Sequence, residues 1–219
     1  EEFTNFDPND NFPLSQMRTT SGLWPLFPVI NMTLNLTSSG RSDWAERKAA
    51  SFVATPLHCG SNALAVAKAD HPAPGVFVPT NRYGGQETID ASNAHDGGLT
   101  VATAVTISGA AVSPSWGYHS SQLTAFLMTL FNVRLGAWLP NPAVVTDPRK
   151  LALARPERAV RSLLGELLGM TKGTDSSIYL TDGGHFENLG VYEMFRRRCR
   201  LIVVVDAGED GTCLYEDLG

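Results

Sequence analysis

The stretch Ile178-Tyr179-Leu180-Thr181-Asp182-Gly183-Gly184-His185-Phe186-Glu187-Asn188-Leu189-Gly190 decides how this chain is read. A short apolar, strand-favouring run delivers one carboxylate, Asp182, into a glycine turn. Downstream, Asn188 is a helix-capping residue type, and Leu189, Tyr192, Phe195 and Cys199 recur at steps of three to four, the spacing of one buried helical stripe. The run Leu201-Ile202-Val203-Val204-Val205 has no polar alternation, which suits a strand covered on both faces. Strand, helix and strand together predict a right-handed crossover in an open, mostly parallel α/β sheet with flanking helices. In such a sheet ligands bind beyond the carboxyl ends of the strands, where this reading puts Asp182.

Upstream, residues 29–37 alternate strictly, with Ile30, Met32, Leu34 and Leu36 opposed to Asn31, Thr33, Asn35 and Thr37, and predict a strand with one polar face. The two N-x-T matches at Asn31 and Asn35 lie inside that strand, not in the exposed loops glycosylation prefers. Residues 51–55 predict another short strand. Residues 68–98, rich in Pro, Gly, Asn and Asp, read as a long irregular excursion of the kind that lines a site. Residues 99–107 predict a buried helix ending near Ser108-Gly109, and helices are expected over residues 121–131 and from Pro156 onward. The opening residues 1–24 are a polar, turn-rich lead-in, and residues 25–219 are expected to form the carboxy-terminal portion of a domain incomplete at its amino-terminal side.

Composition narrows the function classes. With 219 residues, 43% hydrophobic and 18% charged, the chain can bury one substantial core. A net charge of -5 gives no general attraction to nucleic acid, and the cluster Arg196, Arg197, Arg198 and Arg200 reads as the solvated end of a helix. Three cysteines without a C-x-x-C pair make neither a disulfide framework nor a zinc finger and favour a reducing, cytoplasmic compartment. No run reaches the roughly 18 apolar residues of a membrane span. A position on the cytoplasmic face of a membrane stays open, with Trp24, Phe27, Trp44, Trp116 and Trp138 as core residues first and interfacial anchors second. His58, His71, His95, Asp96, His119, Asp182, His185, Glu187 and Asp206 offer metal-ligand types, but no pair has the spacing of two ligands on one helix face, so no metal is expected.

A carboxylate placed after a buried strand is costly unless something uses or satisfies it, because desolvation disfavours its charged form. The functional reading is a base poised for proton transfer; the plain alternative is a turn aspartate that caps the following amides. Gly183 and Gly184 shape the turn, and His185 is a loop residue with a possible supporting role beside Asp182.

The run Ile178-Tyr179-Leu180-Thr181-Asp182-Gly183-Gly184 resembles the D-G-G/A motif of the patatin-like acyl hydrolases. Thr106-Ile107-Ser108-Gly109-Ala110-Ala111-Val112-Ser113-Pro114 is similar to the S-x-A-A-P segment upstream of it in that family. Phe131-Asn132-Val133-Arg134-Leu135-Gly136 and His185-Phe186-Glu187-Asn188-Leu189-Gly190 resemble the continuations in the large bacterial members. The resemblance implies a lipid acyl hydrolase, a phospholipase acting without metal or organic cofactor through a Ser-Asp dyad in which Asp182 accepts the serine proton. The chain departs from the pattern in one respect: it contains no G-x-S-x-G elbow, and Gly40-Arg41-Ser42-Asp43-Trp44 lacks the final glycine. Ser108, Ser113 and Ser115 have no elbow around them. The expectation is a carboxy-terminal portion that supplies the aspartate, partnered by an amino-terminal portion carrying the serine and by a lipid or other acyl ester. Such a part is inactive alone and leaves an apolar sheet edge exposed. The alternative is a noncatalytic, degenerate hydrolase-like binding module.

Overall fold

A computed structural model describes residues 11–18, 26–35, 49–64, 75–85, 97–110, 136–154 and 175–206 of the chain. Strands β1 (Ile30–Asn35), β2 (Ala49–Ala54), β3 (His58–Ser61), β4 (Val76–Pro79), β5 (Ala137–Pro140) and β6 (Ser177–Asp182) form one sheet in the order β4-β3-β2-β1-β6-β5. Helices α1 (Val101–Ser108), α2 (Pro148–Leu151) and α3 (Val191–Arg196) are short.

Every neighbouring pair of strands is antiparallel. The expected open, mostly parallel α/β sheet is therefore corrected to an antiparallel one with few helices among the described residues. β6 has β1 on one side and β5 on the other, both antiparallel to it, so no place beside β6 remains for a parallel strand after α3. Residues 201–205 accordingly form no strand; Leu201, Val203 and Val205 are 82%, 79% and 82% exposed. The crossover predicted through α3 is absent.

The pairing follows from side-chain alternation. Met32 pairs with Phe52 and Asp182, and Leu34 with Ala50 and Leu180, so the apolar members of β1, β2 and β6 share one face. That face is the core, where Met32, Leu34, Phe52, Ile178, Leu180 and Leu139 pack against Leu14, Tyr83, Leu99, Ala104 and Ile107. α1 lies on it, capped by the Thr100 hydroxyl, which accepts the Thr103 N–H at 3.3 Å. Residues 11–18 close over the start of α1, with Leu14 N–H donating to Leu99 O and Val101 N–H to Phe12 O.

The opposite face is polar yet buried. Thr33, Asn35, Ser51 and Thr181 are all under 10% exposed, as the alternation in residues 29–37 anticipated for a polar-packed side. α3 is held there by Glu193, whose carboxylate accepts the Ser51 hydroxyl at 2.8 Å. The stripe expected to face the sheet instead faces out: Phe195 is 69% exposed and Cys199 exposed, while Glu193 is the buried residue of the helix. The long excursion over residues 68–98 contains ordered structure, namely edge strand β4 and a 3-10 turn at Thr80–Arg82. The helices expected over residues 121–131 and from Pro156 lie outside the described residues.

Candidate functional site

β6 ends on Asp182, which pairs with Met32 and then caps a 3-10 turn, Gly183–His185. Its Oδ1 accepts the Gly184 N–H at 2.8 Å, and the residue is partly exposed rather than buried. No second hydrogen bond to the Asp182 carboxylate is made among the described residues.

Neither glycine has a positive φ, and Gly183 is required for space. A Cβ on Gly183 would stand 2.8 Å from the Asn31 carbonyl oxygen, and one on Gly184 would stand 2.8 Å from Asn188 Oδ1. Close approach of the turn to β1 is the physical reason for Gly183, whereas Gly184 meets only the ends of the Asn188 and Asp182 side chains.

The same Asn31 carbonyl accepts the Ser108 hydroxyl at 2.7 Å. The end of α1 and the turn after Asp182 therefore meet on one backbone oxygen, an arrangement that joins two of the stretches singled out in the sequence. Ser108 is committed as a donor there, and no glycine elbow surrounds it. Ser113 and Ser115 lie outside the described residues.

His185 sits against Thr181: its Nδ1 is 3.1 Å from the Thr181 hydroxyl, which also accepts the Asn35 side-chain amide at 2.9 Å. Strand alternation puts Thr181 and Asp182 on opposite faces of β6, so the bond of His185 supports the turn from the polar side. Thr33 adds a further tie, its hydroxyl donating to Gly183 O at 3.3 Å. Asn31 Oδ1 and Asn35 Oδ1 in this layer, and Trp138 Nε1, are buried with no hydrogen-bond partner among the described residues. Such orphaned acceptors and donors call for bridging water.

Glu187 was missed as a structural residue. Its Oε1 accepts the Leu189 N–H at 2.6 Å and its Oε2 the Tyr192 N–H at 3.1 Å, which satisfies amides at the start of α3. The cap expected of Asn188 is thus supplied by Glu187, and Gly190, at φ 70°, is the residue at the capping position. An acidic side chain just ahead of an apolar helical stripe was the available signal.

Beside the end of β6, a cleft of about 590 Å³ opens between α1 and the start of β5, lined by Thr103, Val105, Thr106, Ala110, Gly136 and Ala137. Ala137 pairs with Leu180, two positions before Asp182.

Among the described residues, no three His, Cys, Asp or Glu side chains gather where they could hold a metal ion. His71, His95, Asp96 and His119 lie outside those residues. Likewise no helix of the described residues is long and apolar enough to cross a membrane. Of the aromatic anchors considered, Trp138 stacks at a tilt on Tyr179 with centroids 5.1 Å apart, and Phe27 is 52% exposed. Trp24, Trp44 and Trp116 lie outside the described residues. Comparison with protein-family models, with curated proteins and with solved structures gives no match to this chain.

Proposed function

We propose that this chain takes part in hydrolysis of a lipid acyl ester, with Asp182 accepting the proton of a serine hydroxyl in a dyad like that of the patatin-like acyl hydrolases. One observation carries the reading. Asp182 stands at the last position of its strand, partly open, with Oδ1 fixed by the Gly184 N–H and Oδ2 without a partner among the described residues. A carboxylate oriented through one oxygen presents the other to an incoming hydroxyl, and a base within hydrogen-bond reach is what turns serine into a nucleophile. The neighbouring cleft, with its small and apolar lining, suits an acyl chain. The antiparallel sheet removes one support, because the rule that places ligands at strand ends belongs to parallel sheets. Ser108, whose hydroxyl donates to the Asn31 carbonyl, is not the serine of this proposal, which an amino-terminal portion would supply. The chemistry calls for neither metal nor organic cofactor.

A second reading, a noncatalytic binding module, is favoured by that same sheet and by the Gly184 bond, which is also what a simple turn cap makes. Asp182→Asn separates the two. Asparagine keeps an oxygen to accept the Gly184 N–H, so the turn persists while the base is lost. In the natural protein, fluorophosphonate labelling and esterase turnover are expected to fall by about a hundredfold or more, with melting unchanged. Full labelling and turnover in the variant would remove Asp182 from the chemistry. A wild type that neither labels nor hydrolyses esters would leave the binding module.

A further inference from the structure

The end of α3 and the residues after it carry two features side by side that no contact among the described residues explains. Phe195, Leu201, Val203 and Val205 are 69%, 82%, 79% and 82% exposed. Among them lies the basic run Arg196, Arg197, Arg198 and Arg200, in a chain whose net charge is -5. Arg196 and Arg197 are anchored on Glu193, whereas Arg198 and Arg200 are exposed and have no ion pair among the described residues. The surface continues toward the sheet edge, where Arg197 borders a shallow cleft of about 400 Å³ with Phe27, Leu57 and Phe77. The three aromatic and aliphatic side chains there are 52%, 44% and 38% exposed, and the Arg196 guanidinium lies 5.7 Å over the Phe77 ring.

Exposed apolar side chains in such number mark a contact surface, and their interleaving with arginine decides its kind. Apolar residues enter the acyl boundary of a bilayer while cations pair with anionic headgroups at the same depth. We infer that residues 195–205 form a docking surface for an anionic lipid membrane, which Phe195, Leu201, Val203 and Val205 penetrate and Arg198 and Arg200 hold by charge. An acidic protein would be repelled from such a surface were it not for this local excess of positive charge. The inference rests on the lipid-hydrolase reading only for its choice of occupant, because it needs nothing from Asp182.

Co-sedimentation of the full chain with vesicles of phosphatidylcholine, with and without about one-third phosphatidylglycerol, tests it without hydrolysis. Binding to the anionic vesicles is expected, with little to the neutral ones, and it weakens as salt is raised. Arg198→Gln with Arg200→Gln lowers the partition coefficient by roughly 25-fold, about fivefold per charge. Leu201→Ser and Val203→Ser each lower it by about tenfold or more. All four positions are exposed, so the variants keep the wild-type circular dichroism. Absence of binding to anionic vesicles overturns the inference. So does binding that responds to neither set, or to the arginine set alone, which would be simple adsorption. Concentration-dependent self-association without lipid, abolished by Leu201→Ser, would make the face a protein interface and overturn it equally. Asp182→Asn should leave vesicle binding intact, so loss of this surface and loss of the catalytic assignment are separate results.

Discussion

Cys59 lies in the core against the Thr80 hydroxyl, 3.3 Å away, and burial pushes its thiol up to about 12 despite the hydrogen bonds from Thr80 and the Thr55 backbone that lower it. The thiolate is the reactive form, so at pH 8 its fraction at Cys59 falls about a thousandfold below that of an ordinary cysteine. Cys199 is exposed. Iodoacetamide at pH 8 should therefore modify the peptide bearing Cys199 within minutes and leave that of Cys59 unmodified until denaturant is added, as read by peptide mass mapping. Early labelling of Cys59 would show that the core between β2, β3 and Thr80 opens. A residue-type argument alone gave no such distinction among the cysteines. Asp182 was legible for a different reason: three strand-forming residues before it and two glycines after it locate a strand end without any knowledge of partners. Which way His185 turns was not legible, because its bond to Thr181 depends on which face of β6 each side chain occupies.

At the scale of elements, β1 was readable because its alternation is strict, and α1 because its apolar run ends at Ser108-Gly109. Residues 201–205 misled, since an apolar run states a demand for burial without naming what meets it, and both places beside β6 were already taken by β1 and β5. Strand direction misled for the same cause: period-two patterning fixes faces and leaves parallel or antiparallel pairing open. α3 is instructive in the opposite sense. Its apolar positions suggested one buried stripe, but a helix of six residues with Glu193 inward is held by caps and ion pairs more than by apolar area. Glu187 accepts one amide of its first turn, that of Tyr192, and the Leu189 amide just before it. Replacement by Ala removes both bonds, and the expected cost is about 1–2 kcal/mol, measured as a lowered urea midpoint with an unchanged slope. Glu187→Gln keeps an acceptor and should recover roughly half. Equal stability of wild type and Glu187→Ala would mean that the start of α3 is satisfied otherwise.

For the whole molecule, the sheet separates an apolar core from a buried polar layer, and α3 is fastened to that layer through one carboxylate. Glu193 is 3% exposed and accepts bonds from Ser51, Arg196 and Arg197. Burial alone would raise its pKa; the bonds from Arg196, Ser51 and Arg197, with the Arg196 charge, outweigh burial and hold it below the ordinary glutamate value of 4.5. A folded-state pKa below the unfolded one stabilises the fold at pH above the unfolded value, and this contribution disappears as pH drops through the folded value. Stability should therefore be level in this respect above about pH 5 and decline on acidification below it, as Glu193 takes up a proton and releases both arginines. Because the arginine side chains remain 28% and 30% exposed, solvent screens the pairs, and the contribution falls near the low end for a buried ion pair, about 1–3 kcal/mol. Glu193→Gln should lower stability by that amount at pH 7 and flatten the acid limb, so that the two proteins converge as pH falls through the folded-state value of Glu193. The comparison is made by urea unfolding at a series of pH values. A variant whose stability runs parallel to wild type through the acid range would assign the acid sensitivity to other carboxylates and mean that α3 is held by something other than the Glu193 charge. Convergence would show that the Glu193 charge, through its bonds to Ser51, Arg196 and Arg197, carries this part of the acid sensitivity.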